Sequence, residues 1–197
     1  MSKLFTVILT CEKYKSKMLQ QDTSRLGDHM YFIGDPSLPE PIVKGKVVYL
    51  PCQDNYESLT DKSLMAIKWA VENREFDLLL KTDDDVVFLG GFEEMVSEAS
   101  KYDYSGVLAR GGYPSKWHFG KCEDQELNKK IVQVPKVIYC RGGGYFLSRK
   151  SASLIGRQEF KENRCIFEDA EVGELLKRSQ IIANRIETKE GMKWPEL

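Results

Sequence analysis

The sequence predicts an α/β fold with a mostly parallel central sheet, antiparallel strands added beside it and helices on both faces. In the first half, short apolar runs that suit buried strands alternate with segments of helical spacing, as in parallel strands joined by helices. The second half holds more strand-like runs and irregular loops, which indicates the antiparallel additions. The chain has 197 residues, enough for one domain with a sizeable core, so we expect residues 1–197 to form a single domain.

In the first half, strand candidates are apolar runs and helix candidates carry apolar residues three or four positions apart. Leu64, Ile67 and Val71 have this spacing within a predicted helix. The Pro-rich segment 35–41 suits a surface loop. We expect strands at 4–10, 29–34, 46–50 and 76–81, and helices at 12–21, 57–73 and 92–99.

The second half predicts shorter elements around a glycine turn. The three glycines at 142–144 separate two strand-like runs, and we call residues 141–144 the glycine segment. Two later segments, 150–155 and 170–178, have the spacing of helices. We expect strands at 104–109, 131–138, 144–147 and 181–186, and helices at 150–155 and 170–178.

Composition and charge narrow the class of protein. Hydrophobic residues make up 42% and charged residues 30%, which is ordinary for a soluble globular protein. The net charge of −1 gives no support for a nucleic-acid partner. No apolar run reaches about eighteen residues, and the apolar start is too short for a signal peptide, so we expect no membrane span and no export.

The cysteines point to a reducing compartment. Their number is five, which is odd, and none form a CxxC pair. We therefore expect free thiols in a cytoplasmic protein, with a Cys122–Cys140 bridge left open. A structural zinc site is not expected, because no ligand spacing fits around His29 and His118.

Three consecutive carboxylates, Asp83, Asp84 and Asp85, follow the apolar run 78–80 almost directly. Adjacent acids repel one another and resist loss of water, and a cation relieves both costs. Mg²⁺ and Mn²⁺ prefer oxygen ligands and also bind phosphate, and open α/β sheets bind ligands at the carboxyl ends of their strands. We expect a metal site for a phosphorylated substrate here; the alternative is an acidic turn that faces water.

Further polar or glycine-rich segments lie at 51–62, 139–148 and 165–173. Together with the acids they resemble, in order and approximate spacing, the motifs of the β-1,3-galactosyltransferase and Fringe-like family of glycosyltransferases. The family patterns are D-x-Y-x-N-L-T-x-K before a tryptophan helix, K-x-D-D-D, K-W, Y-x-x-G-x-G-Y-x-L-S and E-D-x-x-x-G. Ser58 stands where the first pattern has Asn. The matching residues are Asp54, Tyr56, Leu59, Thr60, Lys62, Trp69, Lys81, Asp83, Asp84, Asp85, Lys116, Trp117, Tyr139, Gly142, Gly144, Tyr145, Leu147, Ser148, Glu168, Asp169 and Gly173.

The resemblance implies a GT-A fold, a UDP-sugar donor, and Mn²⁺ or Mg²⁺ as the metal. The product would be a hexose or deoxyhexose joined to a hydroxyl of a glycan or glycoprotein acceptor. It also implies a donor-binding half at 1–100 and an acceptor-binding and catalytic half at 101–197. Asp83 and Asp85 are the expected metal ligands, since the ion would stabilise the charge that grows on the diphosphate. The expected donor-binding residues, which include the metal ligand Asp83, are Thr10, Asp54, Lys62, Lys81, Asp83, Asp84, Gly143 and Gly144.

The expected catalytic pair is Asp169, as general base, and Glu168, whose charge would raise the pKa of its neighbour. The alternative is that both acids cap the following helix and stabilise its positive, amino-terminal end. The expected acceptor-binding residues are Trp117, Arg141 and Tyr145. Trp117 is alternatively a core anchor for its loop, and Arg141 alternatively a surface charge.

The alternative for Asp54 and Lys62 is that they lie at the start of a helix, with Asp54 near its cap and Lys62 in solvent. The chain also departs from the family in one respect. Members commonly supply a histidine metal ligand after the E-D motif, and this sequence has no histidine beyond His118. Water or another oxygen ligand would complete the shell, or the chain is one domain of a longer polypeptide.

Two other functions stay open at this stage. A nucleotidyltransferase or phosphohydrolase also uses acids at strand ends, but the segment 10–13 offers neither a phosphate-binding glycine loop nor a nucleophilic acid. A silent nucleotide-sugar-binding module would not need the acids that this chain retains.

Overall fold

Four parallel strands form the centre of the sheet that positions the site. The computed structural model describes residues 2–18, 20–88, 90–158, 164–186 and 192–193. The strands are β1 (Leu4–Leu9), β2 (Asp28–Gly34), β3 (Ile42–Lys44), β4 (Val47–Leu50), β5 (Leu78–Asp83), β6 (Val87–Phe88), β7 (Tyr104–Arg110), β8 (Pro114–Ser115), β9 (Val132–Gln133), β10 (Ile138–Ser148), β11 (Asn184–Arg185) and β12 (Met192–Lys193). The helices are α1 (Lys15–Met18), α2 (Leu59–Asn73), α3 (Phe92–Ala99), α4 (Arg149–Gly156) and α5 (Glu168–Arg178).

The main sheet is mixed, as the sequence predicts. Within the described ranges its order is β11-β7-β10-β5-β1-β2-β4-β3. Strands β4, β2, β1 and β5 are parallel to one another. In contrast, β10 runs antiparallel to both β5 and β7, and β3 runs antiparallel to β4. Two small two-stranded sheets, β12-β6 and β8-β9, lie beside it.

Helices cover both faces of the sheet. On one face, α2, α4 and α5 pack over side chains such as Phe32, Leu79 and Leu147. On the other face, α3 packs over residues such as Leu80 and Phe146. Strand residues that differ by one position therefore serve opposite cores, which is why the central strands read as continuous apolar runs.

Most predicted elements are confirmed, but several differ. The predicted helix at 12–21 is a short 3-10 helix (Glu12–Tyr14) followed by one turn, α1; Leu19 lies outside the described residues. The predicted strand at 131–138 is divided between β9 and the start of β10. The predicted strand at 181–186 shrinks to β11, and no strand is predicted at β3, β6, β8 or β12.

The structure also bears on the membrane and cysteine predictions. Among the described residues, no helix combines the length and the apolar character needed to cross a bilayer. All five cysteines are free thiols, so the Cys122–Cys140 bridge does not form.

Candidate active site

The carboxyl ends of β1 and β5 lie side by side and bring Thr10 to the acid triplet. The two strands are parallel neighbours, and Leu9 pairs with Asp83. Thr10, just beyond β1, donates its hydroxyl proton to a carboxylate oxygen of Asp84. The backbone N–H of Asp84 donates to the carbonyl of Leu9 at 3.1 Å. The acids thus begin where the buried strand ends, as the sequence predicts.

The glycine segment reaches the same place because β10 is bulged. The segment is part of this one long strand rather than a turn before a short one, which corrects the prediction of a strand at 144–147. The register between β10 and β7 shifts between Cys140 and Tyr145. On the other side, Gly144 pairs with Thr82 of β5, and the Thr82 hydroxyl donates to the carbonyl of Gly143 at 2.7 Å. The bulge therefore holds the glycine segment against the end of β5.

A buried ammonium group joins three of the motifs. Lys81 has no exposed surface, and its Nζ lies 2.8 Å from Oδ1 of Asp83. The same Nζ donates to the carbonyl of Gly142 at 2.6 Å and to Oε1 of Glu168 at 2.6 Å. Tyr145 donates its hydroxyl proton to Oε2 of Glu168 at 3.1 Å. Two carboxylates and a carbonyl thus compensate the buried charge, and one side chain holds together the acid triplet, the glycine segment and the E-D motif.

The two acids at the start of α5 have different environments. Glu168 is 3% exposed and is engaged by Lys81 and Tyr145. Asp169 is only partly buried. Its Oδ2 accepts the backbone N–H of Gly142 at 3.0 Å, and its Oδ1 accepts that of Ala170 at 2.8 Å. Asp169 is therefore oriented by the glycine segment and accessible to a substrate, whereas Glu168 is a buried support.

Burial dominates the electrostatics of both acids. It raises the pKa of Asp169, while the backbone N–H groups of Gly142 and Ala170 act in the opposite direction. Burial rather than repulsion by the neighbouring glutamate is thus the main cause of the expected rise. Burial also raises the pKa of Glu168 to about 7, against the lowering effect of Lys81.

The charge of Lys81 is favoured by its partners. Burial by itself would lower the pKa of this ammonium group, but the carboxylates of Asp83 and Glu168 keep that pKa above its ordinary value. Lys81 therefore stays protonated and does not act as a base near neutral pH.

Gly142 is required by the close approach of α5 to the bulge. A Cβ atom at this position would lie 2.6 Å from Oε1 of Glu168, closer than carbon and oxygen tolerate. Any larger residue would push the E-D motif away from Lys81. At Gly142 the absence of a side chain is therefore required by packing within the protein.

Asp54 and Lys62 form a buried clamp behind the site. Nζ of Lys62 donates to Oδ1 of Asp54 at 2.8 Å and to the carbonyl of Thr10 at 2.7 Å. Asp54 also accepts the backbone N–H groups of Gly34 at 2.8 Å and Glu12 at 2.7 Å. The solvated-lysine alternative is wrong, because Lys62 is 3% exposed. The clamp fixes the loops after β1 and β2, and the Asp54 side chain keeps 19% exposure on the outside.

The expected donor-binding and acceptor-binding residues divide by exposure. Asp83 and Asp84 are partly exposed and Asp85 is exposed, so these three can be reached by a ligand. Trp117 and Arg141 are exposed as well. The buried members are Thr10, Lys62, Lys81, Gly143, Gly144 and Tyr145. For Tyr145 this is a correction, because a side chain with no exposed surface cannot contact an acceptor.

His118 is a loop anchor rather than a metal ligand. It is fully buried, and its Nε2 lies 2.9 Å from the carbonyl of Leu127 and 3.0 Å from that of Lys130. Trp117, the residue before it, is 70% exposed, so the core-anchor alternative belongs to His118 and not to Trp117.

The acids at the end of β5 fit a hard divalent cation that is shared with a substrate. No group of three His, Cys, Asp or Glu side chains that could hold a metal ion occurs in the described part of the chain. Mg²⁺-type ions, however, are commonly held by one or two carboxylates plus substrate phosphates. Asp83 and Asp85 supply that donor set at an exposed strand end.

Sequence reasoning missed two residues beside Asp169. Tyr56 and Tyr139 belong to matched motifs, yet neither received a role. Burial raises the pKa of each hydroxyl, and the negative charge of Asp169 is the next cause for both. Both tyrosines pack in the cluster that contains Phe167 and Ala170, the residues that flank the E-D pair. Because both tyrosines stand at motif positions, the motifs could have indicated a role for them.

A family model described as Galactosyltransferase matches residues 40–187 of this chain. The UDP-GalNAc:beta-1,3-N-acetylgalactosaminyltransferase 2 of Danio rerio is 42% identical over 117 residues, which cover 58% of this chain and 23% of that protein. The Mus musculus protein of the same name is 38% identical over 138 residues, which cover 68% and 27%. This chain thus spans about a quarter of the length of these curated relatives.

Among solved structures, the bifunctional IspDF from Campylobacter jejuni superposes with a TM-score of 0.52 at 8% identity, covering 98% of this chain and 52% of that one. At this identity the likeness concerns the fold alone, and it agrees with the Rossmann-like α/β architecture described above. The match over residues 40–187 contains the acid triplet, the bulge and the E-D motif. The chain therefore belongs to the galactosyltransferase family of glycosyltransferases.

Proposed function

We propose that this chain transfers a sugar from a UDP-sugar to a hydroxyl group of a glycan or glycoprotein, with Asp169 as the general base. The observation that carries the proposal is the contact of Lys81 with Asp83, Gly142 and Glu168. This contact supports the proposal because one side chain binds Asp83 and also Glu168, the neighbour of Asp169, although the two motifs lie more than eighty positions apart in the sequence. The names of the curated relatives make UDP-GalNAc the first donor to test, ahead of other UDP-hexoses and UDP-deoxyhexoses.

The reaction needs a base that takes up the proton of the reacting hydroxyl group. The acceptor oxygen forms a bond to the anomeric carbon while the bond from that carbon to the diphosphate breaks, and UDP leaves with the bonding electrons. The acceptor hydroxyl proton passes to Asp169, whose raised pKa brings it closer to neutral pH, where a base is more effective. The N–H of Gly142 holds this carboxylate in place.

Asp83 and Asp85 would hold the divalent cation. Such an ion, Mn²⁺ or Mg²⁺, supplies positive charge where the diphosphate becomes more negative. Lys81 keeps Asp83 oriented from the buried side, and Thr10 does the same for Asp84. Asp84 and Asp54 keep exposed surface and are the remaining candidates for donor contact.

We further propose that residues 1–197 act as one domain, with donor contacts mainly from 1–100 and acceptor contacts mainly from 101–197. The division falls after α3, and β10 of the second half pairs with β5 of the first. Residues of both halves therefore meet at the carboxyl end of β5.

The test measures UDP release from several UDP-sugars, with and without Mn²⁺, in the presence of saccharide acceptors. We expect metal-dependent release that an acceptor accelerates, together with a glycosylated product. Metal-independent phosphate release without sugar transfer would favour a phosphohydrolase. Tight UDP binding without turnover would favour a silent binding module.

Asp169→Asn tests the base. We expect the rate of transfer to fall by about 10²–10⁴-fold, because the amide cannot take up the proton. In the unmodified chain, activity should rise with pH through the raised pKa of Asp169, since only the ionised carboxylate acts as a base. Asp169→Asn should lose this limb of the pH–rate profile and keep its affinity for UDP, measured by calorimetry. Normal turnover in Asp169→Asn would reject the role.

A further inference from the structure

Three aromatic side chains with exposed surface are linked to the buried cluster that flanks Asp169. We call Tyr56, Tyr113 and Trp117 the aromatic rim. Trp117 is 70% exposed and Tyr113 is 46% exposed, whereas Tyr56 is about half-buried. The exposed rings contribute little to the core, so folding alone does not account for them.

The inner end of the aromatic rim reaches the candidate base. Tyr56 packs against a buried cluster that includes Phe167 and Ala170, which flank the E-D pair. After burial, the charge of Asp169 is the largest cause of the raised pKa of the Tyr56 hydroxyl. Tyr113 is joined to the same cluster by its backbone carbonyl, which accepts the N–H of Val134 at 3.0 Å.

The outer end of the aromatic rim is an open ring face. Nζ of Lys121 lies 3.9 Å from the centroid of the Trp117 ring and 5.5 Å from that of the Tyr56 ring. Lys121 therefore bridges two rim residues and covers one face of the Trp117 indole. The 70% exposure of Trp117 leaves the other face open.

The loop that carries Trp117 is anchored without a ligand. Buried His118 links it to the carbonyls of Leu127 and Lys130. The Glu57 carboxylate, at the entrance to α2, accepts the backbone N–H groups of Glu123 at 3.2 Å and Asp124 at 3.0 Å. A ligand would bind a preformed surface and would not have to order the loop.

We propose that the aromatic rim is the binding site for a neutral saccharide acceptor, one ring of which stacks on the open face of Trp117. The proposal rests on the transfer reaction proposed above. Pyranose rings present apolar C–H faces that suit an indole, and the tyrosine hydroxyls offer hydrogen bonds to sugar hydroxyls. The carboxylate of Asp169 at the inner end would repel an acidic sugar.

The test compares Trp117→Ala and Trp117→Phe with a control, Ile182→Ala. Ile182 is 71% exposed, similar to Trp117, but precedes β11 at the edge of the sheet. The probes are the methyl β-glycosides of N-acetylglucosamine, galactose, glucose and glucuronic acid. Two quantities are measured for each probe: the acceptor KM for transfer, and the saturation-transfer NMR signal in the presence of UDP. Affinity for UDP is measured in parallel by calorimetry.

We expect Trp117→Ala to raise the KM of the best neutral acceptor about tenfold, which corresponds to the loss of one aromatic stacking contact. Trp117→Phe should recover most of this loss, because it restores an aromatic face. Ile182→Ala should behave like the unmodified chain. The glucuronide should be the poorest probe. An acceptor KM in Trp117→Ala within about twofold of the unmodified value, or the glucuronide as the best probe, would overturn the proposal.

Failure of the proposed function gives a different result. If the unmodified chain releases no UDP from any donor, the transfer reaction is rejected. Saccharide binding at the aromatic rim is then tested by the NMR signals alone. Neutral glycoside signals that disappear in Trp117→Ala would still support the site. If the unmodified chain gives no signals with any neutral glycoside, the proposal is rejected.

Discussion

Lys81 shows how one residue can link motifs that are distant in the sequence. Its ammonium group is fully buried, which costs free energy unless charged or polar partners surround it. Asp83, Glu168 and the carbonyl of Gly142 supply those partners. Removal of one partner would leave a buried charge incompletely compensated, which is more costly than the loss of an exposed ion pair.

Glu168 makes stability depend on pH. Burial raises its pKa from 4.5 to about 7, so between these values the folded chain holds a proton that the unfolded chain has released. The free energy of unfolding should therefore fall as pH rises through this window, with the full contribution present below pH 4.5. Urea unfolding at a series of pH values should show a shallower decline for Glu168→Gln than for the unmodified chain.

The control for this experiment is Glu126→Gln, because the Glu126 side chain is 86% exposed. It should keep the pH dependence of the unmodified chain. Parallel pH profiles for Glu168→Gln and the unmodified chain would show that Glu168 does not titrate in this window.

At the scale of elements, the contact between α5 and β10 positions the candidate base. Gly173 lies on the face of α5 that meets β10, and a Cβ there would lie 2.5 Å from Cβ of Tyr139. The small side chain lets the helix approach the bulged strand closely. Asp169, one turn earlier on the same helix, depends on this approach for its contact with Gly142.

Gly173→Ala should destabilise the protein and lower transfer. Alanine gains about 1 kcal/mol in helix propensity over glycine, but overpacking of a tight contact costs about 1–3 kcal/mol. The net effect is a loss of about 1 kcal/mol. Denaturant unfolding and the rate of transfer measure the two effects.

Gly90→Ala is the matched control for the glycine substitution, since a Cβ there meets nothing within 4 Å. Its stability should match that of the unmodified chain. A Gly173→Ala variant that is as stable and as active as Gly90→Ala would show that α5 can shift without moving the base.

The sequence was most informative where structure depends on local hydrophobic patterns. Strands β1, β4 and β5 and helix α2 end within two or three residues of the predicted bounds. For the glycine segment the sequence predicts a turn, because glycines favour turns. The prediction is wrong because β5 and β7 pair with β10 on its two sides, and the segment forms a bulge within that strand.

Side-chain direction was the second limit of sequence reasoning. Tyr145 lies in a matched motif beside the glycine segment, and only the register with Lys81 shows that it faces the buried Glu168. The resemblance to the family could place Asp83 and Asp169 in one site from the order of the motifs. It could not separate the partly exposed acid of the E-D pair, Asp169, from the buried one, Glu168.

At the scale of the whole molecule, the sheet gathers the site at the carboxyl ends of its parallel strands, where open α/β sheets bind ligands. Asp83 ends β5, Thr10 follows β1, and the antiparallel strand β10 adds the glycine segment from the second half. A ligand bound at this edge contacts groups that exist together only in the folded chain. Donor binding should therefore stabilise the whole protein.

UDP with Mn²⁺ should raise the midpoint of thermal unfolding more than either alone. A ligand at about one hundred times its Kd adds about 2.7 kcal/mol of stability, which corresponds to roughly 5–10 °C for a chain of this size. Chelation of the metal should remove most of the shift, because Asp83 and Asp85 alone would repel the diphosphate. Asp85→Ala should likewise lose the metal-dependent part, whereas Asp28→Ala, an exposed aspartate at the opposite, amino-terminal end of β2, should keep it. Differential scanning calorimetry measures all of these shifts, and an equal, metal-dependent shift in Asp85→Ala and Asp28→Ala would remove Asp85 from the proposed metal site.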